Sequence, residues 1–597
     1  MSTETAPTAR PATQLPFARW PAKPPRVWPF VVLVALYWAA VIIVGRLDKS
    51  YFVGFLIGLA TPALLTILFG GWWWLSRRIR LADRAYGFLV VVAGGLIALP
   101  LVHPSLGVFG LLMMALPVVL TAWALWLVAA KWLVPGWYRR GALVVVAVTW
   151  GIFTLVRHDG LNSDLRADLR WRWSPTAEEL FLAERAAERA DNTASPLSEG
   201  TLTLWAGDWA EFRGADRDGV IRGVRIRTDW DKNPPRQVWR HRVGPAWSSV
   251  IIVDGRLFTQ EQRGDQETVV CYDAATGKEV WAHADAARFY ESVSGAGPRA
   301  TPTFADGRLY TLGATGILNC LDAATGKPHW TRDIAAEASA KPPQWGFSGS
   351  PLVIDGLVIA FAGGEGDKNL LAYRTATGEP AWTAAAGASS YSSPQLVTLS
   401  GARQCLMLTD HGLNSVDPLT GAALWKSGVV MPGAPRTVQP HVVGPTQLLV
   451  GTLELTGMAR IEVKKEGDVL NVSQLWSSKD LKPEFPDFVV HEGNAYGFDL
   501  NVFCCIDANT GRRQWKEGRY GRGQVMLLAD QSLLLVLSET GELVLLNADP
   551  KRHDELSRFP ALTGKTWSHP VIAHGRLYVR NAEEMACYDV TQSATGQ

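Results

Sequence analysis

Two adjacent cysteines, Cys504 and Cys505, are the residues whose spacing most directly suggests chemistry in this 597-residue chain. Adjacent cysteines can close a strained eight-membered disulfide ring, which would make residues 503–515 (FCCIDANTGRRQW) a redox device. The six cysteines of the chain include no C-x-x-C pair of zinc spacing and no C-x-x-C-H haem attachment. Whether the two thiols can meet depends on the elements that hold them.

The charge and the motifs exclude several classes of function. The formal net charge is +2, and no basic stripe with interleaved aromatic residues occurs, so we expect no nucleic-acid partner. The sequence also has no P-loop, no G-x-S-x-G elbow and no H-E-x-x-H. It therefore carries no signature of nucleotide binding or of these hydrolytic mechanisms.

The first quarter of the chain predicts a multi-pass membrane domain. After a tail (1–26), the segment 27–157 holds five apolar runs, each able to cross a bilayer core of about 30 Å. The runs are 27–45, 51–75, 85–102, 106–130 and 141–157. Asp48, His103 and Lys131 lie at predicted span ends, which favours an anchor over a proton or ion path. A quinone or transport role for the helices is the alternative.

Lysine and arginine predict the orientation of these spans, because positive loops stay cytoplasmic. The basic ends are the tail and the second and fourth connections, with Arg10, Arg19, Lys23, Arg26; Arg77, Arg78, Arg80, Arg84; and Lys131, Arg139, Arg140. The N-terminus is therefore expected in the cytoplasm of a bacterium, the helices in its inner membrane, and everything after residue 157 in the periplasm. A long first run followed by further spans argues against a cleaved signal peptide.

Residues 158–235 are predicted to form a juxtamembrane helix and a linker. Ser174 could cap the helix, with Pro175 at its first position. The following TASPLSEGTLT has the composition of a linker.

The soluble part is organised by a repeat: a short apolar strand, Asp-x-x-Thr-Gly, then Trp. Five copies have nearly the same internal spacing: CYDAATGKEVW, CLDAATGKPHW, AYRTATGEPAW, SVDPLTGAALW and CIDANTGRRQW. Weaker copies end near Trp476 and Phe559. The spacing between copies suits a four-stranded antiparallel blade, with the Asp-x-x-Thr-Gly as the turn between its two outer strands.

The two ends of the soluble part are predicted to complete one blade together. PRQVWRHRVG supplies an outer strand near residue 236, and the chain ends on MACYDV without one. Such closure removes exposed sheet edges. We therefore predict an all-β eight-bladed β-propeller over 236–590, followed by a C-terminal tail (591–597).

The repeat resembles the pyrrolo-quinoline quinone (PQQ) repeat of bacterial quinoprotein dehydrogenases and of the propeller lipoprotein in the outer-membrane β-barrel assembly machinery. The membrane spans ahead of the propeller also resemble the layout of membrane-bound quinoprotein glucose dehydrogenases. This resemblance implies one of two functions. The first is a non-catalytic module that binds a periplasmic protein or an anionic small ligand. The second is a PQQ-dependent oxidoreductase that oxidises an alcohol or sugar and passes electrons to membrane quinone.

Polar and aromatic residues are predicted to converge where outer strands connect to the next inner strands. Arginine forks and tryptophan faces there would suit a flat polyanion such as PQQ. The candidates are Arg288, Arg299, Trp345, Tyr391, Arg436, Gln439, Arg522, Gln524, Lys565 and Trp567.

The resemblance further implies Ca²⁺ beside the quinone and a carboxylate base. Candidate metal ligands are Asp499, Asn501 and Asn581, and candidate catalytic residues are Asp487, Glu261 and His569. No compact motif joins these residues. The roughly 360 residues of the repeat region are also compact, which is closer to the assembly-factor propellers than to the dehydrogenases with their long inserted loops.

The repeat alignment also answers the question of the two cysteines. Cys505 occupies the position of Cys271, Cys320 and Cys587, two residues before the turn aspartate, where a small apolar side chain packs between blades. Cys504 should point to the opposite face of the same strand. We therefore expect packing rather than a disulfide.

Overall fold

The computed structural model of the chain describes residues 26–49, 51–130, 137–191, 200–428, 437–453 and 457–592. Two compact units are present, Met1–Ser174 and Pro175–Gln597. Three groups of predicted residues lie outside the described ones: residues 1–25 of the tail, Lys131 of the fourth connection between helices, and the candidate ligand residue Arg436.

The first unit is helical. Its helices are α1 (Trp28–Val44), α2 (Tyr51–Leu75), α3 (Leu81–Ala98), α4 (Gly107–Gly110) continued by a π-helical turn (Leu111–Ala115) into α5 (Leu116–Ala129), and α6 (Trp137–Thr154). Among the described residues, three helices are long and apolar enough to cross a membrane: Phe52–Leu75, Leu81–Ala98 and Gly107–Ala129. Three of the five predicted runs are thus helices of the length and composition that a membrane span needs. The helix at the first run has only 17 residues, and the helix at the last run carries the charged pair Arg139 and Arg140 in its first turn.

A β-hairpin follows α6 and was not predicted. Its strands are β1 (Val156–Leu161) and β2 (Ala167–Trp171), paired antiparallel.

The second unit begins with α7 (Ala177–Asp191), whose cap is Thr176 rather than the predicted Ser174. Thr176 Oγ1 accepts from the Glu179 amide, and Glu179 accepts from the Thr176 amide at 2.7 Å, which together form a capping box. Phe181 is buried on the propeller side of this helix, and Glu178 accepts from the Gly264 amide. The helix therefore packs directly on the sheet structure.

The rest of the second unit is an eight-bladed propeller, as predicted. Two strands precede the first complete blade: β3 (Val220–Ile221) and β4 (Arg236–Arg242). Blade 1 is β5–β8 (Ile251–Val253, Arg256–Arg263, Gln266–Asp273, Glu279–Asp285) and is followed by a small hairpin, β9 (Tyr290–Glu291) and β10 (Gly295–Ala296). Blade 2 is β11–β14 (Thr303–Ala305, Arg308–Leu312, Ile317–Asp322, Pro328–Asp333), followed by α8 (Ile334–Glu337). Blade 3 is β15–β18 (Leu352–Ile354, Leu357–Phe361, Leu370–Arg374, Pro380–Ala384), and blade 4 is β19–β22 (Gln395–Leu399, Ala402–Thr409, Gly412–Val416, Ala423–Ser427).

The remaining blades have the same order. Blade 5 is β23–β26 (His441–Gly444, Gln447–Leu453, Gly457–Glu466, Val469–Ser478), and blade 6 is β27–β30 (Val489–His491, Asn494–Asp499, Val502–Asp507, Arg513–Arg519). Blade 7 is β31–β34 (Gln524–Leu528, Leu533–Leu537, Glu542–Asn547, Asp554–Pro560), with β3 added in parallel to its inner edge. Blade 8 is β35–β37 (Val571–Ala573, Arg576–Arg580, Glu584–Asp589) and is completed by β4, so the predicted closure is confirmed.

The repeat residues join neighbouring blades. In the blade 2 turn, Asp322 Oδ1 accepts from Thr325 N and Oγ1, and Gly326 has a φ of +72°. A β-carbon on Gly326 would lie 2.4 Å from the ring of Trp281, the repeat tryptophan of blade 1. The Trp281 indole in turn donates to the Ala323 carbonyl of blade 2 at 3.1 Å. The turn glycine is thus required both by its backbone angle and by the indole that lies on it.

All six cysteines are free and buried. Cys505 pairs across the sheet with Trp515 and packs between blades 6 and 7, whereas Cys504 packs between blades 5 and 6. The two thiols therefore point to opposite faces of one strand, which confirms the packing interpretation.

Candidate functional site

The propeller has two faces that differ in their turns. We call the face with the outer-to-inner connections and the turns between the second and third strands the upper face, and the opposite one the lower face. Five of the ten predicted ligand residues meet on the upper face in one chain of contacts, which we call the upper ring. Its members are Trp247, Trp345, Tyr391, Phe485, Arg522, Lys565 and Trp567.

One side of the upper ring is an aromatic cluster with a buried ion pair. Trp345 lies 5.0 Å from Tyr391 and 5.6 Å from Phe485, measured between ring centroids. The Arg522 guanidinium lies 5.9 Å from the Phe485 centroid, and its Nε donates to Glu484 Oε2 at 2.5 Å. Arg522 and Glu484 are both almost fully buried, so the positive charge of this predicted ligand residue is already matched.

The other side of the upper ring holds a lysine between two indoles. Lys565 Nζ lies 5.2 Å from the Trp247 centroid and 4.5 Å from the Trp567 centroid, and it donates to the Val293 carbonyl. The Trp567 indole donates to Glu539 Oε1 at 3.1 Å. Because the other oxygen of Glu539 accepts from the Arg522 amide, this carboxylate links the two sides of the ring.

The two predicted arginines in the connection from blade 1 to blade 2 are already paired with glutamates. Arg299 lies under the upper ring, 4.5 Å from the Phe289 centroid, and its Nη2 is 3.5 Å from Glu291. Burial is the main reason that the pKa of Arg299 falls to about 10. Arg288 is placed differently, because both of its terminal nitrogens donate to Glu178 of α7 at 2.9 Å.

The two predicted glutamines are structural in their contacts. Gln439 is buried, and its side chain accepts from Ser393 N and donates to Ser393 O. Gln524 donates to the Trp567 carbonyl at 2.8 Å. Both brace neighbouring connections beneath the upper ring.

Two of the candidate catalytic residues, Asp487 and His569, lie at the axis of the propeller. Each stands directly before the innermost strand of its blade, blade 6 for Asp487 and blade 8 for His569. Asp487 accepts from the Gln439 amide at 3.0 Å and lies 3.5 Å from His441 Nε2. Burial alone would raise the pKa of Asp487, but Arg213 and His441 outweigh it and lower the pKa.

The axial channel at this level is filled by the chain itself. Residues 203–227, which we call the axial segment, enter and leave through the lower face. Asp208 accepts from His574 Nε2 and from the Asp254 amide in lower-face turns, and Gly223 N donates to Asp530 in another. Between these points the segment reaches inner strands or the residues just before them in seven blades: Trp209 with Ile252, Ala210 with Phe304, Arg217 with Pro351 and Pro394, Arg213 with Phe488, Val220 with Leu527, and Phe212 with His569.

Two buried arginines fix the axial segment. Arg213 lies 3.4 Å from Asp487 and donates to the Phe488 carbonyl at 2.8 Å. Arg217 donates to the carbonyls of Ser350, Pro351 and Pro394, and its Nε pairs with Glu211 at 2.9 Å. Every one of these partners is a wall residue or a neighbour in the segment, so the arginines act as internal pins.

His569 is held in a neutral state by this arrangement. Its ring lies 5.2 Å from that of Phe212. Burial, followed by the nearby positive charge of Arg213, lowers the pKa of His569 to about 3.

The third candidate catalytic residue, Glu261, lies away from the axis. It is fully buried in blade 1 and is hydrogen-bonded to Arg263, Tyr272 and the Gly244 amide.

The candidate calcium ligands do not fit a calcium ion. Lys482 and Lys516 lie 2.5 and 2.8 Å from Asp499, and Arg513 lies 3.1 Å away, so three cations already surround this carboxylate. Asn501 is in the same blade 6 turn, whereas Asn581 closes a turn in blade 8 by accepting from the Glu583 and Glu584 amides. Within the part of the chain that the structure describes, no three His, Cys, Asp or Glu side chains are grouped to hold a metal.

Sequence reasoning missed the axial segment and part of the upper ring. Trp247, Phe485 and Glu484 were not among the candidates, although they contact residues that were. The signal for the segment was its apolar content, because Trp209 and Phe212 are unusual in a solvated linker.

Comparison with known proteins agrees with the repeat. Residues 265–517 match the family described as "Outer membrane protein assembly factor BamB". No curated protein matches the chain.

Among solved structures, BamB from Moraxella catarrhalis is 16% identical, with a TM-score of 0.43, and the alignment covers 60% of this chain and 99% of that one. The quinohemoprotein alcohol dehydrogenase from Comamonas testosteroni is 13% identical, with a TM-score of 0.44, and the alignment covers 70% of this chain and 86% of that one. The residues that match this family contain all five clear copies of the repeat, which agrees with the predicted resemblance to PQQ repeats, and the eight blades confirm the predicted propeller.

Proposed function

We propose that this protein is a membrane-anchored periplasmic propeller that binds a protein partner and does not itself oxidise a substrate. The observation that carries the proposal is the axial segment. It fills the centre of the propeller at the level of Asp487 and His569. Arg213 pairs with the carboxylate of Asp487, which an oxidoreductase would need as a free base.

The charges of the upper ring support a binding role over a cofactor role. A flat tricarboxylate such as PQQ needs cations that are not already neutralised. Arg299 and Arg522 are buried with Glu291 and Glu484, and Arg288 pairs with Glu178. These three arginines therefore offer no unmatched cation to PQQ, and the candidate metal ligands do not fit its calcium ion, so we derive no step through either group.

The upper face has the composition of a protein-binding surface. Tryptophan and tyrosine are among the residues that dominate binding energy at protein interfaces, and the half-buried members of the upper ring include Trp247, Trp345, Tyr391 and Trp567. The β9–β10 hairpin places Tyr290 on the same face with its side chain half exposed. A periplasmic protein is thus the partner that this surface favours.

The location follows from the spans and the basic loops. The connection between α2 and α3 carries Arg77, Arg78 and Arg80, the first turn of α3 carries Arg84, and the first turn of α6 carries Arg139 and Arg140. By the positive-inside rule these ends lie in the cytoplasm. The propeller is then periplasmic, attached to the inner membrane by the first unit.

One observation favours the alternative, a quinoprotein-type oxidoreductase of alcohols or sugars. Five of the residues predicted for the cofactor do meet on the upper face: Trp345, Tyr391, Arg522, Lys565 and Trp567. The alternative would require the matched carboxylates to release their arginines.

Site-specific photo-crosslinking in the native cell tests the binding role. A benzophenone amino acid replaces Tyr290 on the upper face or, as the matched control, Leu419 in a lower-face turn; both side chains are about half exposed. We expect a discrete protein adduct from position 290 and none from position 419. Adducts of equal yield at both positions, or none at 290, would contradict the proposal.

A further inference from the structure

The hairpin after α6 exposes an apolar surface. Leu169, Trp171 and Trp173 have relative exposures of 42%, 48% and 64%. The two indole rings are stacked, with centroids 5.0 Å apart and planes only 8° from parallel. Leu169 and Trp171 lie on the same face of β2, because they are two residues apart in a strand.

This hairpin is fastened across one end of the helices of the first unit. Arg172 Nη1 donates to the carbonyls of Leu101 and Thr154, each at 3.1 Å. Arg166 Nη2 donates to the Gly45 carbonyl at 3.2 Å, and the His158 amide donates to Ser105 Oγ.

These contacts place the hairpin at the ends of the helices and away from their middles. Gly45 and Thr154 stand at the C-terminal ends of α1 and α6, and Leu101 follows the end of α3. The unpaired carbonyls at such ends are favourable partners for cations. The hairpin therefore lies where the apolar helices stop.

We propose that Leu169, Trp171 and Trp173 insert into the bilayer at the headgroup boundary, so that the hairpin anchors this end of the helices in the membrane interface. Tryptophan is enriched at that depth because its ring is apolar and its N–H needs a polar partner. Arg170, next to the indoles, suits the same boundary, since its side chain is 48% exposed and its charged end can reach headgroups and water. A hairpin with open strand edges is also excluded from the hydrocarbon core itself.

The inference rests on the membrane anchoring proposed above, and the test separates the two. The full chain is placed in lipid nanodiscs after introduction of one surface cysteine, Leu169→Cys or Trp173→Cys, which is labelled with the fluorophore NBD. The six native cysteines are buried and should not react. Quenching is measured with lipids that carry a doxyl group near the headgroup and with iodide in water.

Both labelled positions should lose about half or more of their fluorescence to the doxyl lipid and little to iodide, as expected for side chains about 5–10 Å into the interface. Leu169→Cys leaves both tryptophans in place, so it remains informative if the Trp173 variant folds poorly. Arg170→Cys is the matched control, because its side chain points to the other side of the strand and is 48% exposed. We expect iodide to quench it.

Two results would overturn the inference: quenching of positions 169 and 173 by iodide alone, or protection from both quenchers, which would mean that protein covers the hairpin. Ile67→Cys on α2, with a relative exposure of 69%, reports on anchoring separately. If lipid quenches position 67 but not the hairpin, only the hairpin inference fails. If lipid quenches neither, the membrane anchoring fails with it.

Discussion

Arg213 Nε lies 3.4 Å from Asp487 Oδ2 in the middle of the propeller, and both side chains are almost completely buried. Arg213 belongs to the axial segment and Asp487 to the wall of blade 6. The pair therefore holds the segment in the channel.

Breaking this pair should destabilise the protein strongly. Arg213→Met leaves the Asp487 carboxylate buried without its guanidinium, which costs about 3–5 kcal/mol. Thermal unfolding of the full chain should show a clear fall in Tm. The double variant R213M/D487N should lose less than the sum of the single variants, because the two residues interact directly.

The control for that experiment is an exposed ion pair in the same segment. Arg222 pairs with Asp216 and Asp218, and its side chain is 58% exposed. Arg222→Met should cost about 1 kcal/mol or less. Equal melting temperatures for R213M and R222M would show that the segment is not pinned in the channel.

Acid should destabilise the propeller through His569. Its pKa is about 3 in the folded protein, because burial and Arg213 oppose its charge, against about 6.5 in an unfolded chain. Between these values the unfolded chain binds a proton that the folded chain does not. Stability is therefore full above pH 6.5 and falls below it, by up to about 1.4 kcal/mol per pH unit.

Other groups add to this acid sensitivity in known windows. Burial is the main reason that the pKa of His241 falls to about 4, so His241 contributes with the same sign between about pH 6.5 and 4. Asp487, whose pKa is lowered, contributes stability that is lost only in stronger acid, as the pH falls below its unfolded value of about 3.9. The His569 assignment is tested by thermal melting between pH 7.5 and 4.5. The Tm of the His569→Gln variant should fall less steeply with decreasing pH than the Tm of the unsubstituted protein. Identical slopes would contradict the assignment.

The turn glycine of blade 2 offers a test of how blades are joined. Gly326→Ala places a methyl group 2.4 Å from Trp281 at a φ of +72° and should cost about 2–4 kcal/mol. Gly366→Ala is the matched control: its φ is +66°, but no atom lies within 4 Å of the added carbon, so only the backbone cost of about 1–2 kcal/mol applies. Chemical denaturation measures the free energy of unfolding of both variants. Equal losses would show that the close approach of the Trp281 indole to Gly326 does not contribute to stability.

The cysteines should be chemically silent in the native protein. Burial raises the pKa of Cys505 to about 12 and also raises that of Cys504, and alkylation requires the thiolate. Iodoacetamide followed by mass spectrometry should modify all six thiols only after denaturation. Modification of either cysteine under native conditions, or a mass lower by two hydrogen atoms in residues 503–515 without reduction, would restore the redox interpretation.

The propeller could be predicted from the sequence because its blades repeat one local pattern. Asp, Thr, Gly and Trp each contact residues of their own turn or of the neighbouring blade. Their spacing in the sequence is therefore enough to predict these contacts. The position of Cys505 opposite Trp515 is a direct consequence of that register.

The channel could not be predicted in the same way. The axial segment has no repeat partner, and its contacts run from Trp209 to Ile252 in blade 1 and from Arg213 to Asp487 in blade 6, far apart in sequence. Likewise the short hairpin after α6 depends on helix ends that are distant along the chain, such as Gly45. The sequence predicted Asp487 and His569 as candidate catalytic residues but could not reveal that a segment from outside the repeats lies against them.

Titration of the full-length protein in detergent with PQQ and Ca²⁺ tests the central claim most directly. Cofactor absorbance and dye reduction are followed with a panel of alcohols and sugars, for the unsubstituted protein and for Asp487→Asn. The account predicts no saturable binding of PQQ and no turnover, because the axial segment fills the channel and both Arg299 and Arg522 are matched by carboxylates. Saturable binding near one PQQ per chain, with turnover that Asp487→Asn abolishes, would contradict it.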